Sequence, residues 1–113
     1  MKLPEQGMLL RIFIGETDKI GGKPLYETIT LKARELNLAG ATVTRGIMGF
    51  ATDSKISTNK ILRLSENMPV VIEIVDREED INKFIPVLNQ MVGEGLITVE
   101  KVQVIKYVHH TRK

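Results

Sequence analysis

The run Pro69-Val70-Val71-Ile72-Glu73-Ile74-Val75 constrains the fold more than any other stretch of the chain. It is nearly apolar on both of the faces a strand would present, so it belongs in the middle of a sheet rather than at an edge. A central strand needs neighbours, and three further segments can supply them. Leu10, Ile12 and Ile14 alternate with Leu9, Arg11 and Phe13, the pattern of a strand with one mostly apolar face. Thr42 to Phe50 reads as another strand, with Gly46 inside it marking a bulge or a close backbone approach. Ile97 to Val108 reads as the last, with Val102, Val104 and Val108 on one face.

Between these strands the period changes. Gly15 to Lys23 (GETDKIGGK) is a loop by its glycines and charges, and Pro24 suits the first position of a helix, where no N–H is needed. Leu25, Ile29, Ala33 and Leu36 then form one helical face, and Gly40 is the expected stop. After the central strand, Asp76 is expected to cap a second helix with Glu79 as its capping-box partner, and Glu78 and Asp80 suit the positive helix end. Ile81, Phe84, Ile85, Leu88 and Met91 give a core-facing stripe, Pro86 predicts a kink, and Gly93-Glu94-Gly95 closes the helix. Ala51 to Asn67, polar around a short Ile61-Leu62-Arg63-Leu64 segment, reads as a protruding loop longer than ordinary connections.

The order is βαββαβ: an α+β, ferredoxin-like sandwich with a four-stranded antiparallel sheet and two helices on one face, spanning residues 1–113 as one domain. Two helices cannot cover both faces of such a sheet. The apolar residues left on the other face predict an oligomer in which sheets pack together.

Composition then removes whole classes of function. With 16 basic and 14 acidic residues the net charge is +2, too small for the global field of a dedicated nucleic-acid or membrane-surface protein. No cysteine is present, so thiol catalysis, disulfides and Cys-ligated zinc are all excluded. The N-terminal stretch lacks the apolar core of a signal peptide, and no apolar run approaches the ~18 residues of a membrane span. A cytoplasmic protein is expected.

Catalytic chemistry is hard to assemble from what remains. The only histidines, His109 and His110, are adjacent, and on a strand they would face opposite ways rather than chelate. Glu16, Asp18 and Lys23 could form a site for a hydroxyl-bearing ligand or a hard cation, although an Asx-type turn would use Asp18 equally well. Gly15 and Gly21-Gly22 lie between a strand and a helix but match no phosphate-loop spacing. Glu78, Glu79 and Asp80 fit a helix start, and Met48, Phe84 and Met91 fit a core. Better placed for a ligand are Gly49-Phe50-Ala51 and Gly93-Glu94-Gly95, whose glycines let backbone N–H groups approach an anion closely. Turn formation alone would also account for them. In a trimer of such sheets the two stretches can meet across a subunit boundary, with Lys106 as the counter-charge to a phosphate.

The run GATVTRGIMGF resembles the Gly-x-Thr-Val and Gly-Phe-Gly pattern of the P-II signalling proteins, which is also followed by a protruding loop. Pro69 to Val75 and Val99-Glu100-Lys101-Val102 with Lys106 are similar to two strands of that family. Together GETDKIGGKPLYE, AGATVTRGI and ILRLSENMPVVIEIVD resemble, more closely, an uncharacterised family of small P-II-like proteins, domain of unknown function 190. The resemblance implies a homotrimeric regulator without enzymatic activity that binds ADP, AMP or ATP between subunits, and whether magnesium accompanies the nucleotide stays open. Its long loop would report occupancy to a target protein, a membrane transporter or an enzyme, and not to a nucleic acid. Gly49, Phe50 and Ala51 would come from one subunit, Gly93, Glu94, Gly95, Leu96 and Ile97 from its neighbour, and Lys106 would face the phosphates. Ala51 stands where P-II proteins carry the second glycine of Gly-Phe-Gly, and Leu96 where they carry a lysine. The loop has no tyrosine to modify. Two other readings stay open: a metal-responsive trimer using Glu16, His109 and His110, and a single-stranded nucleic-acid binder, which would need aromatics on the central strands.

Overall fold

The computed structural model describes residues 6–50, 57–58 and 67–109. Its main sheet is built from β1 (Gln6–Gly15), β4 (Thr42–Arg45), β7 (Pro69–Asp76) and β8 (Leu96–Gln103), ordered β4-β7-β1-β8. All its pairings are antiparallel, with Ile12 opposite both Ile72 and Ile97. β7 is interior, as its apolar run requires. Two helices, α1 (Leu25–Glu35) and α2 (Glu78–Met91), complete the ferredoxin-like α+β fold. Leu10, Ile12 and Ile14 of β1 and Val70, Ile72 and Ile74 of β7 bury the same face, on which Ile29, Ala33, Ile81, Phe84 and Leu88 pack. Each of these side chains other than Ala33 contributes roughly 1.5–3 kcal/mol by leaving water.

The first loop is more ordered than its composition suggests. β2 (Lys19–Ile20) and β3 (Lys23–Pro24) form a two-residue hairpin over Gly21 and Gly22, whose φ angles of 58° and 79° are those a tight hairpin turn demands. This gives the glycine pair a structural role in place of a phosphate cradle. Pro24 is not the first helical residue; it is extended and stands just outside α1, whose first N–H, that of Leu25, donates to the Asp18 carbonyl at 2.8 Å.

The end of α1 also departs from expectation. Asn37, with φ of 62°, ends the helix three residues before Gly40. The N–H of Asn37 donates to the Arg34 carbonyl and that of Leu38 to the Ala33 carbonyl, both at 3.0 Å, which is a Schellman motif. The reversal turns Leu36 outward, 45% exposed, and puts Leu38 into the core instead.

Gly46 does mark a close approach. Its N–H donates to the Pro69 carbonyl at 2.7 Å, and a Cβ there would stand 2.8 Å from the Pro69 ring. The predicted strand to Phe50 therefore stops at Arg45, and a short β5 (Met48–Gly49) pairs instead with β6 (Ser57–Thr58). The predicted loop from Ala51 to Asn67 otherwise lies outside the described residues, except for Asn67.

α2 runs unbroken through Pro86, but Asp76 does not cap it. The N-cap is Arg77, without a side-chain cap, so the predicted box with Glu79 does not form. Asp76 is the inward-facing last residue of β7, fully buried, and its carboxylate accepts the N–H groups of Ala39 and Arg77. The last strand is likewise shorter than predicted, ending at Gln103 opposite Gln6. Beyond it the chain crosses back over the sheet until the Tyr107 hydroxyl donates to the Ala39 carbonyl at 3.2 Å, leaving Lys106 and Val108 exposed and off the strand.

Candidate functional site

Antiparallel pairing sorts the predicted site residues to two ends of the sheet. At one end β1 finishes at Gly15, β7 begins at Pro69, β4 finishes at Arg45 and β8 begins at Leu96. Gly49 lies there against Pro69, and Gly95 lies there against Phe13 and Ile14. Gly49 thus sits over β7 and Gly95 over β1, neighbouring strands at one end of the sheet. Among the described residues no turn or loop hydrogen bond joins Gly49 or Phe50 to Gly93, Glu94, Gly95, Leu96 or Ile97. Ala51 lies outside the described residues.

The two glycines of the second turn are not equivalent. A Cβ at Gly95 would stand 2.9 Å from the Phe13 carbonyl oxygen, so packing alone demands glycine there. Gly93 has nothing within 4 Å, and it lines an open cleft of about 230 Å³ with Asp18, Lys19, Leu25, Met91 and Glu94.

The candidate second site at the same end is held together by its own bonds. One Asp18 carboxylate oxygen accepts the Gly15 N–H at 2.8 Å and the other accepts from Asn67 Nδ2 at 3.3 Å. Asn67 Oδ1 accepts the Thr17 N–H at 2.8 Å, and Glu16 pairs with Arg45 Nε at 3.0 Å. Asp18 thus serves the turn, and Lys23 stands apart on the small hairpin.

Lys106 belongs to the other end. It lines a groove of about 550 Å³ on the helix-free face, with Leu9, Val75 and Val104 as apolar floor. Ala39, Gly40, Ala41 and Thr42 form one wall, and Arg11, Glu73 and Tyr107 complete the lining. Among the described residues no turn or loop hydrogen bond engages the backbone of Gly40 or Ala41. Arg11 Nε donates to Glu73 at 2.8 Å and Nη1 to Glu100 at 2.8 Å, and these bonds raise the guanidinium pKa further above its ordinary value. Neither Arg11, Glu73 nor Tyr107 stood out from the sequence as a site residue. The available signal was a charged residue in the middle of each of two apolar strands, placed opposite each other by the register.

Residues 7–104 match the family model DUF190, described as an uncharacterized ACR. A UPF0166 protein of Aquifex aeolicus is 43% identical over 99 residues, covering 86% of this chain and 91% of that protein. A UPF0166 protein of Methanocaldococcus jannaschii is 37% identical over 99 residues, with 87% and 91% covered. Among solved structures, CPII from Thiomonas intermedia K12 is similar with a TM-score of 0.59 at 16% identity, covering 89% of this chain and 90% of that one. That structure is of a nitrogen regulatory PII-like protein bound to ADP, AMP and bicarbonate. The B. subtilis GlnK-ATP complex is similar with a TM-score of 0.56 at 15% identity, with 88% and 84% covered.

Proposed function

The chain belongs to the DUF190 family, and on that footing we propose that it is a PII-like regulatory protein, without enzymatic activity, that binds an adenine nucleotide between the subunits of a homotrimer. The observation that carries this reading is the groove beside Lys106. An apolar floor suits a flat base, exposed backbone at Gly40 and Ala41 suits its polar edge, and Lys106 suits phosphate. The nucleotides held by CPII and GlnK support the same ligand class.

The geometry supports the subunit boundary as well. Lys106 and the two glycine turns occupy opposite ends of one sheet, separated by most of the eight residues of β7, or about 24 Å. They can share a ligand when the glycine-turn end of one subunit meets the Lys106 end of another. Outside the Lys106 groove the helix-free face carries Phe13, Val71 and Leu96, apolar surface that packing between sheets would cover. No group of three or more His, Cys, Asp or Glu among the described residues could hold a metal, so magnesium would arrive with the phosphates. Occupancy would be reported by the loop over 51–67 through a shift between its states.

Neither other reading finds comparable support. Glu16 and His109 lie at opposite ends of the sheet, since His109 stacks on the Tyr107 that bonds Ala39, and His110 lies outside the described residues. Phe13 is the one aromatic on the four main strands, a poor platform for single-stranded nucleic acid.

The test is thermal unfolding with ATP, ADP, AMP and a cyclic nucleotide, alongside the variant Lys106→Ala. A ligand at 100 times its Kd adds about 2.7 kcal/mol of stability. We expect a clear shift for at least one nucleotide and a loss of that shift in the variant. No shift with any of them removes the reading, and a monomer by light scattering removes the cleft.

A further inference from the structure

Ala39 is held by both of its backbone groups. Its N–H donates to Asp76 Oδ2 at 2.8 Å, and its carbonyl accepts the Tyr107 hydroxyl at 3.2 Å. It is also the first residue of the groove wall that continues through Gly40, Ala41 and Thr42. The residues leading into this wall leave α1 through the left-handed Asn37, and the last bond to the helix is that of the Leu38 N–H to the Ala33 carbonyl, one residue before Ala39.

Asp76 is costly to keep where it is. It is the sole buried charged or polar residue of the described core, at 0% exposure. Its other oxygen, Oδ1, accepts the Arg77 N–H at 2.7 Å. The Arg77 guanidinium forms its ion pair with Asp80, at 2.9 Å, rather than with Asp76. Asp80 itself adds negative charge beside Asp76 from α2, and burial with that neighbour raises the Asp76 pKa above the ordinary range. A hydrophobic residue would fill such a position at lower cost, so what Asp76 provides is two acceptor oxygens aimed at two N–H groups. An amide in its place would turn a donor toward one of them.

We infer that Asp76 is a positioning residue for the nucleotide groove: through Ala39, and jointly with Tyr107, it fixes the wall whose backbone meets the polar edge of the base. The inference rests on the proposed nucleotide site, but the clamp itself can be read without any ligand.

Two measurements on Asp76→Asn separate the outcomes. In amide hydrogen exchange, Ala39 is expected to exchange faster than in the parent while Ile12 and Ile72 in the sheet keep their protection. In binding, ADP affinity is expected to fall by about tenfold, the equivalent of one hydrogen bond, while competition by inorganic pyrophosphate changes by less than about twofold. Tyr107→Phe removes the other half of the clamp and is expected to act in the same selective direction; it serves if Asp76→Asn fails to fold. Parallel losses of ADP and pyrophosphate would mark a purely structural residue and overturn the inference, as would parent-like ADP affinity or unchanged Ala39 exchange. If the parent protein binds no nucleotide, the proposed function falls, and Ala39 exchange alone decides whether Asp76 holds the wall.

Discussion

Arg11 and Glu73 face each other directly across β1 and β7 and close an ion pair at 2.8 Å in the middle of the helix-free sheet face. The same guanidinium reaches Glu100 on β8, so one side chain ties three strands. In the isolated chain these groups are 37% and 40% exposed, a setting in which an ion pair is worth about 0–1 kcal/mol. Packing the sheets of a trimer together would strip that water away. Arg11→Ala is then expected to cost about 3–5 kcal/mol in the assembled protein, because it strands a buried carboxylate. Urea unfolding measures this, and a cost under about 1 kcal/mol would mean that the face stays wet.

Asp76 makes a prediction about pH. Burial raises its folded-state pKa above the ordinary 3.8, so in that window the folded chain holds more protons than the unfolded one. Its contribution to stability is therefore fully present below pH 3.8 and is lost as pH rises through the folded value. Urea midpoints of the parent and of Asp76→Asn should show the difference between them moving against the parent as pH increases from 3 toward 7, roughly over the raised titration range. A pH-independent difference would contradict the raised value.

The two glycines of the turn before β8 should respond differently. Gly95→Ala places a Cβ 2.9 Å from the Phe13 carbonyl oxygen and 3.0 Å from Val92 Cγ1. A loss of about 1–3 kcal/mol is expected, as for other overpacked sites. Gly93→Ala meets nothing within 4 Å and should be close to neutral. Thermal unfolding of the pair decides it. The contrast makes Gly93, not Gly95, the position at which a bulky substitution can probe ligand binding without also breaking the fold.

Asn37 holds a left-handed conformation at φ of 62° to close the Schellman motif. Asn37→Gly should hold stability or raise it, and Asn37→Ala should lower it by about 1 kcal/mol, since a Cβ without a compensating polar side chain is disfavoured there. Equal midpoints for the two variants would show that the turn is set by something other than backbone preference.

The parts of this fold that were legible in the sequence are those set by repetition. Leu10, Ile12 and Ile14 with Val70, Ile72 and Ile74 fix two strands and their buried face, and Ile81, Phe84 and Leu88 fix a helix, because many residues repeat one signal. Boundaries set by single residues were not. Gly40 looked like the stop of α1, but Asn37 could adopt the same left-handed turn earlier. Asp76 looked like a cap because caps are local, whereas one of its two N–H partners, Ala39, is 37 positions away. The site was half legible for the same reason. Glycines announce themselves locally, but Arg11, Glu73 and Tyr107 become neighbours of Lys106 only through register and a returning C-terminal segment. That Gly49 lies over β7 and Gly95 over β1 depends on strand order, which no local pattern encodes.

Under the proposed ring assembly, the placement of the glycine turns and Lys106 at opposite ends of one sheet would allow genetic complementation between defective copies. A chain damaged only at Lys106 and a chain damaged only at Gly93 would each spoil a different half of every cleft in their own rings. Co-expressed, they would form mixed rings in which a sound turn from one parent abuts a sound lysine from the other, restoring an intact cleft where neither parent alone has any. No such rescue could occur if each chain carried its whole site within itself.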